Sequence, residues 1–93
     1  MKGIAIGLSS NSKAILKRLQ KTEFVNEIYM ASSLKNDDIE DGLVKIQKPK
    51  EILFKKWSEL DLIIFIGSIG AAIRIISPFL TSKDQDPGVI VID

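Results

Sequence analysis

The chain has 93 residues, of which 45% are hydrophobic and 27% are charged, and its formal net charge is +1. This composition is typical of one small globular domain, and the near-zero charge argues against a nucleic-acid-binding protein that works through bulk positive charge. The sequence contains no Cys and no His, which excludes disulfides, thiolate nucleophiles and the commonest metal ligand. Any chemistry must therefore depend on carboxylates, hydroxyls, Lys, Arg or backbone amides.

The first third of the chain predicts two strands separated by one helix. Gly3 to Leu8 is a continuous apolar run, which is typical of a parallel strand that is covered on both faces. Between Lys13 and Lys21 apolar side chains recur at helical spacing, and the Lys side chains fall on the opposite face, which we interpret as solvated. Phe24 to Ala31 is less apolar and predicts a strand nearer a sheet edge. Because the amino terminus lacks the pattern of a signal peptide, we expect a cytoplasmic protein.

The connection from the first strand to the first helix consists of Ser9, Ser10, Asn11 and Ser12. Short hydroxyl and amide side chains are common at helix starts, where they accept hydrogen bonds from free backbone amides. The same position also suits an anion, because those amides and the helix dipole present positive charge. Two interpretations of this loop stay open, an anion-binding corner and a simple helix cap.

The middle of the chain is polar and then predicts a second helix. Ser32 to Gly42 contains four carboxylates, but their spacing does not match a Ca²⁺-binding loop, and we interpret the segment as a solvated loop. Leu43 to Ile46 predicts a short strand. Pro49 suits the first turn of a helix, and Glu51 to Leu60 supplies the apolar side chains that would pack it.

A second possible anion corner follows the third main strand, which Leu62 to Ile66 predict as an unbroken apolar run. The run is interrupted by Gly67 to Gly70, and Ser68 is a natural N-cap for a helix that begins at Ile69. A strand, a glycine turn and a helix start together leave several amides free to bind an anion. Pro78 should stop or kink this helix. A membrane span is excluded, because the glycines, the proline and a central arginine are costly in lipid.

Arg74 is the only charged residue of the predicted third helix. Helical spacing places it one turn beyond Gly70 on the same face, with Ser77 three residues further along. We interpret the three residues as a stripe that faces a ligand or partner. The alternative is a core helix in which Arg74 pairs with a nearby carboxylate at the edge of the core. The other faces of the helix are apolar almost all the way round, which predicts cover by a second domain or another subunit.

The predicted elements define one α/β domain over residues 1–93. Val89 to Ile92 supplies the last strand, and we expect a three-layer, flavodoxin-like parallel sheet of about four strands, in the order 2-1-3-4, flanked by helices. In that order the switch point lies between the first and third strands and brings the two corners together. We predict no metal ligand. The candidate binding residues at the two corners are Ser9, Ser10, Asn11, Gly67, Ser68, Ile69, Gly70 and Arg74.

The last part of the chain resembles one known family. Its motifs are a Gly-x-x-x-Arg pattern at 70–74, a proline at 78, Lys-x-x-Asp-Pro at 83–87, and a Val/Ile strand that ends at Asp93. This pattern is similar to the N-terminal domain of cobalamin biosynthesis protein G, the cobalt-precorrin-5A hydrolase of anaerobic vitamin B12 synthesis. The resemblance implies hydrolysis of a δ-lactone on a cobalt-containing tetrapyrrole, with release of acetaldehyde. It assigns no catalytic residue, and Asp86 could equally be a turn residue.

The resemblance also implies partners. The tetrapyrrole carries acetate and propionate groups, one of which Arg74 could bind while the Gly67–Gly70 amides bind another. Cobalt would arrive inside the substrate, so we expect no separate cofactor, nucleic acid or membrane partner. Family members continue past the position of Asp93 into a separate C-terminal domain. We therefore expect a fragment that is inactive alone and that contacts that domain or a second copy.

Two other functions stay open at this point. One is a non-catalytic docking domain whose apolar third helix packs on a partner domain. The other is a flavodoxin-like domain that binds a flavin or nucleotide through Ser9 to Ser12. That loop lacks the usual glycine and threonines, and the sequence contains neither a Walker lysine motif nor Gly-x-Gly-x-x-Gly.

Overall fold

The apolar runs of the sequence form the strands of one parallel sheet. The computed structural model describes residues 1–9, 11–31 and 45–93. The strands are Gly3–Gly7 (β1), Glu27–Ala31 (β2), Lys45–Gln47 (β3), Leu62–Ile66 (β4) and Gly88–Ile92 (β5). The helices are Lys13–Gln20 (α1), Pro49–Lys56 (α2) and Ile69–Ile76 (α3). Ser10 and the acidic loop that the sequence predicts at 32–42 lie outside the described residues.

The strand order is β3-β2-β1-β4-β5, and every pair is parallel. The four longer strands follow the predicted order 2-1-3-4, which confirms the expected α/β class. The three-residue β3 extends the sheet beyond β2, so β2 lies one strand in from the edge. In register, Gly7 is opposite Ile66, and Ile66 is opposite Ile92. The carboxyl ends of β1, β4 and β5 therefore reach the same level at one edge of the sheet.

Both faces of the sheet are covered, because neighbouring residues of a strand point to opposite sides. On one face, Phe65 packs with Leu53 of α2 and Ala72 of α3. On the other face, Ile64 belongs to the cluster that contains Leu16 of α1. The result is the three-layer arrangement that the continuous apolar strands predict.

The helix boundaries follow local chemistry. Pro49 is the first residue of α2, where its missing N–H costs nothing. The third helix ends at Ile76 and is followed by a short 3-10 turn, Ser77–Phe79, in which Pro78 is the second residue. The predicted stop at Pro78 is confirmed. A second 3-10 turn, Trp57–Glu59, continues from α2 and leads into β4.

Candidate functional site

The turn after β4 depends on Gly67. Its φ angle is 151°, a conformation that side-chain-bearing residues rarely adopt, and a Cβ added there would lie 2.8 Å from the Cβ of Leu8. The Gly67 amide donates to the carbonyl of Ile92 at 2.8 Å. This amide therefore extends the ladder between β4 and β5 and is not available to a ligand.

Ser68 is the N-cap of α3, as predicted. Its Oγ accepts a hydrogen bond from the amide of Ala71 at 3.2 Å, and the first turn contains no acidic residue. Within the described part of the chain, the amides of Ser68, Ile69 and Gly70 have no protein acceptor. Three consecutive donors at the positive end of the α3 dipole are therefore open to an anion.

The loop after β1 is held by its own hydrogen bonds. The Leu8 amide donates to the carbonyl of Ile66 at 2.8 Å, which ties the end of β1 to the end of β4. The Ser9 hydroxyl donates to Oδ1 of Asn11 at 2.9 Å. Ser12, which is fully buried, donates to the carbonyl of Ser9 at 2.7 Å and makes no side-chain cap to α1. The helix-cap interpretation therefore does not describe Ser12.

A cavity of about 420 Å³ lies where the two corners meet. It joins Ser9 and Asn11, which follow β1, to Gly67 and Ser68, which follow β4. The strand order thus brings these residues together as the sequence predicts, while their role in binding stays a prediction. The described residues that line it are Ser9, Asn11, Ile15, Ile66, Gly67, Ser68, Ile92 and Asp93.

Asp93 in this lining was not predicted as a site residue. The available signal was its position directly after the last strand, because the end of β5 lies beside the end of β4. Its carboxylate makes this side of the cavity less favourable for an anion than the side formed by α3.

Arg74 lies on the outer side of α3. The buried Ala72 faces the sheet, and the exposed Gly70, Arg74 and Ser77 share the opposite side of the helix. Arg74 is exposed and forms none of the ion pairs among the described residues, so that part of the chain supplies no partner carboxylate for the alternative interpretation. It also does not line the cavity between the corners. Only a ligand that extends over the first turn of α3 could contact both Arg74 and the cavity between the corners.

A hydrogen-bonded cluster around Asp86 organises the loop before β5. The carboxylate accepts from the Trp57 indole at 3.2 Å, from the Thr81 amide at 2.9 Å and from the Thr81 hydroxyl at 2.8 Å. Trp57 in turn stacks on Phe79 with ring centroids 5.6 Å apart. The Asp of the Lys-x-x-Asp-Pro motif is thus a turn residue that holds the loop in place.

These hydrogen bonds also set the ionisation of Asp86. Partial desolvation raises its pKa, but the hydrogen bonds from Thr81, Trp57 and the Ser82 backbone outweigh this effect and lower the pKa from its ordinary value of 3.8. The carboxylate therefore stays ionised at neutral pH and is a poor general base.

The described residues contain neither of two further features that would indicate function, a metal site or a membrane-spanning helix. That part of the chain contains no group of three or more His, Cys, Asp or Glu side chains that could hold a metal ion. It also contains no helix that combines the length and the apolar character needed to cross a membrane.

The fold and the cavity define a parallel α/β domain with a candidate ligand site at its switch point. Residues 51–93 of this domain, which include most of α2 and all of β4, α3 and β5, match the family model described as Cobalamin synthesis G N-terminal. The resemblance noted from the sequence motifs is therefore confirmed for this segment.

A curated relative agrees with the family match. Over 95 aligned residues the chain is 28% identical to the cobalt-precorrin-5A hydrolase of Priestia megaterium. The alignment covers 95% of this chain and 24% of the relative, so the chain spans about a quarter of that enzyme's length. No solved structure shows a significant match.

Substitution by alanine should have opposite effects on stability at Gly67 and at Gly70. Gly67→Ala forces a side chain into a positive φ angle and against Leu8, so we expect a loss of about 1–3 kcal/mol in the free energy of unfolding. Gly70 has no atom within 4 Å of an added Cβ, and Gly70→Ala should be neutral or stabilise by up to about 1 kcal/mol. Urea unfolding monitored by circular dichroism measures the free energy of unfolding of both variants. Equal losses of stability in Gly67→Ala and Gly70→Ala would contradict the different roles of the two glycines.

The Asp86 cluster predicts a specific pH dependence of stability. Because the folded-state pKa is lowered, the stabilisation is present above the ordinary pKa of 3.8 and is lost as the pH falls through the folded value. Asp86→Asn should therefore lower the melting temperature at pH 7, and its difference from wild type should shrink toward pH 2. The exposed Asp84 of the same turn supplies the control, Asp84→Asn, which removes a carboxylate outside the cluster and should leave the melting temperature at pH 7 unchanged. A difference in melting temperature between Asp86→Asn and wild type that does not change with pH would argue against the stabilising role of the Asp86 cluster.

Proposed function

We propose that this chain is the substrate-binding part of an enzyme of cobalamin biosynthesis that hydrolyses the δ-lactone of cobalt-precorrin-5A and releases acetaldehyde. The observation that carries the proposal is the match of residues 51–93 to the Cobalamin synthesis G N-terminal family. The name of the Priestia megaterium relative supplies the substrate, cobalt-precorrin-5A, and the class of reaction, hydrolysis. The δ-lactone and the acetaldehyde come from the family that the motifs at 70–93 resemble. Because the chain spans 24% of that relative, we expect the groups that activate water to lie in the rest of the enzyme.

The chemistry of the corner supports a carboxylated substrate. The free amides of Ser68, Ile69 and Gly70 can donate to one carboxylate or to the lactone oxygen, and the α3 dipole favours negative charge there. Arg74 can bind a second carboxylate with two parallel hydrogen bonds, since its guanidinium is exposed and forms no ion pair among the described residues. A substrate with several carboxylates around a wide ring could reach both positions.

Gly70 supports the same proposal. It is exposed, lies in the first turn of a helix, and has open space around its Cα, so neither backbone strain nor packing requires a glycine there. Glycine in a helix costs up to about 1 kcal/mol relative to alanine. Its missing side chain leaves the neighbouring amides accessible to a bulky anionic substrate.

The two arginines of the chain provide the test. Arg74→Ala should weaken the binding of cobalt-precorrin-5A about tenfold to a hundredfold, because a charge-assisted hydrogen bond contributes about 1.5–3 kcal/mol. Arg18→Ala removes an equally exposed arginine from α1 and should leave the affinity unchanged. Titration of each protein against the visible absorbance of the substrate measures the effect. Equal affinities of wild type and Arg74→Ala for the substrate would contradict the proposed role of Arg74.

A docking role is the second candidate, and the exposed apolar flank of α3 favours it. Ile69 is 62% exposed and Ile73, one turn later, is 53% exposed. These two residues lie beside each other on the helix, next to the outward stripe that contains Arg74. We infer that this flank packs on another part of the enzyme, for which the Priestia megaterium relative has ample additional chain.

The docking role predicts self-association of the chain when no other partner is present. Wild type should sediment as larger species at high concentration, and Ile73→Lys should remain monomeric because it places a charge in the apolar flank. Phe54→Lys changes a residue of α2 that is 83% exposed and serves as the control, which should behave as wild type. A monomeric wild type at all concentrations, or equal effects of both substitutions, would contradict docking through α3.

A further inference from the structure

A second cavity lies at the carboxyl ends of β1 and β2, on the face of the sheet opposite to α1. Its volume is about 370 Å³, and it opens between the first turn of α2 and one side of α3. It takes no part in the corner described above, whose cavity lies on the α1 side among Ile15, Ile66 and Ile92. Among the described residues, the lining consists of Leu8, Ala31, Lys48, Pro49, Lys50, Ala71 and Ile75.

The floor of this cavity is apolar. Leu8 follows β1, Ala31 ends β2, and Ala71 and Ile75 form one side of α3. Its volume is at the lower end of the range of small-molecule sites, which are mostly apolar with a few polar groups that orient the ligand. A ligand with an apolar body therefore fits the floor, and a large one would insert only one edge.

Lys48 and Lys50 supply the polar groups, and both are cationic. Both are exposed, and neither forms an ion pair with the carboxylates of the described residues. Their places at the N-cap and in the first turn of α2 are unfavourable for cations, because the helix dipole is positive there. The other basic residues of α2, Lys55 and Lys56, lie in its last turn, where the dipole favours them.

We propose that this cavity binds one edge of an amphipathic polycarboxylate, with the apolar body on Leu8, Ala71 and Ile75. The ammonium groups of Lys48 and Lys50 pair with the carboxylates at that edge. The inference rests on the proposed function, since a carboxylated tetrapyrrole is such a ligand. It adds a second point of attachment for the substrate, on the face of the sheet opposite to the cavity between Ser9 and Gly67.

The two cavities are adjacent along the chain. Leu8 lines the second cavity and Ser9 lines the first, at the point where β1 ends between the two faces. A wide, flat ligand lying across the carboxyl edge of the sheet would therefore contact both. This arrangement uses the general preference of parallel α/β sheets for ligands at the carboxyl ends of their strands.

The experiment uses uroporphyrin III as the probe, because it has an apolar macrocycle with acetate and propionate groups but neither cobalt nor a lactone. Quenching of its fluorescence by the 93-residue chain gives the affinity. Lys48→Gln/Lys50→Gln should weaken binding about tenfold or more through the loss of charge-assisted contacts. Ala71→Leu should weaken it similarly by filling the cavity, without any change in charge.

The matched control is Lys13→Gln/Lys21→Gln, which makes the same change in net charge at the two ends of α1. The proposal is overturned if this control weakens binding as much as Lys48→Gln/Lys50→Gln, since the effect would then be bulk charge. It is also overturned if Ala71→Leu binds as wild type while its circular dichroism spectrum shows a folded chain.

Failure of this inference is distinguishable from failure of the proposed function. Loss of affinity in the Lys48/Lys50 and Ala71 variants supports the second cavity whatever Arg74→Ala does to cobalt-precorrin-5A. Conversely, wild-type affinity of those variants for uroporphyrin III overturns the proposed role of the second cavity. A loss of cobalt-precorrin-5A binding in Arg74→Ala would still support the first site.

Discussion

The parallel pairing of β1 with β4 is the contact on which the rest of the structure depends. It places the ends of the two strands at one level, and the hydrogen bond from the Leu8 amide to the Ile66 carbonyl closes the pair there. Leu8 and Gly67, which is the first residue after β4, then approach so closely that Gly67 has no room for a side chain. Because β1 runs between two strands reached by connections on opposite faces, the chain diverges at this point and leaves a crevice. Both cavities at the carboxyl edge follow from this divergence.

The small size of the chain explains why so much apolar surface stays exposed on the β5 side. α1 packs on β1 and β2, and α2 and α3 cover the other face, which leaves the edge strand β5 with incomplete cover. Ile90 of β5 is 48% exposed, and Ile69 and Ile73 are exposed on the nearby helix. A domain of this length buries only about 60–65% of the surface of its unfolded chain. Phe24 and Phe54, which lie elsewhere, are exposed as well, so α3 and β5 form one of several exposed apolar regions among the described residues.

Most of the fold could be predicted from local patterns. The unbroken apolar runs at 3–8 and 62–66 indicated buried parallel strands, and the strand order followed from the usual connection rules. Ser68 could be identified as an N-cap, since a serine after a glycine turn and before a helical pattern has few other roles. The proximity of Ser9 to Gly67 was also predictable, because it follows from strand order alone. None of these predictions required knowledge of side-chain contacts.

The features that could not be predicted depend on contacts between distant parts of the chain. The role of Asp86 in the loop depends on Trp57, which lies 29 residues earlier. Ser12 had the sequence context of a cap, but its hydroxyl donates back to Ser9 beneath the first turn of α1. Lys48 and Lys50 line a cavity with Ala31 and Ala71 only because the fold brings these parts of the chain together. Spacing in the sequence carries no signal for any of these contacts.

The contrast between Gly67 and Gly70 separates folding from binding at the corner. Gly67 is required by the backbone, because its φ angle and its contact with Leu8 exclude a side chain. Gly70 has neither constraint, and alanine there would favour the helix. A residue that folding does not require, beside three amides that have no acceptor among the described residues, supports the proposal of a ligand that approaches the backbone closely. Since Arg74 lies one turn further along the same exposed side, that ligand would approach α3 from the solvent and extend into the crevice between β1 and β4.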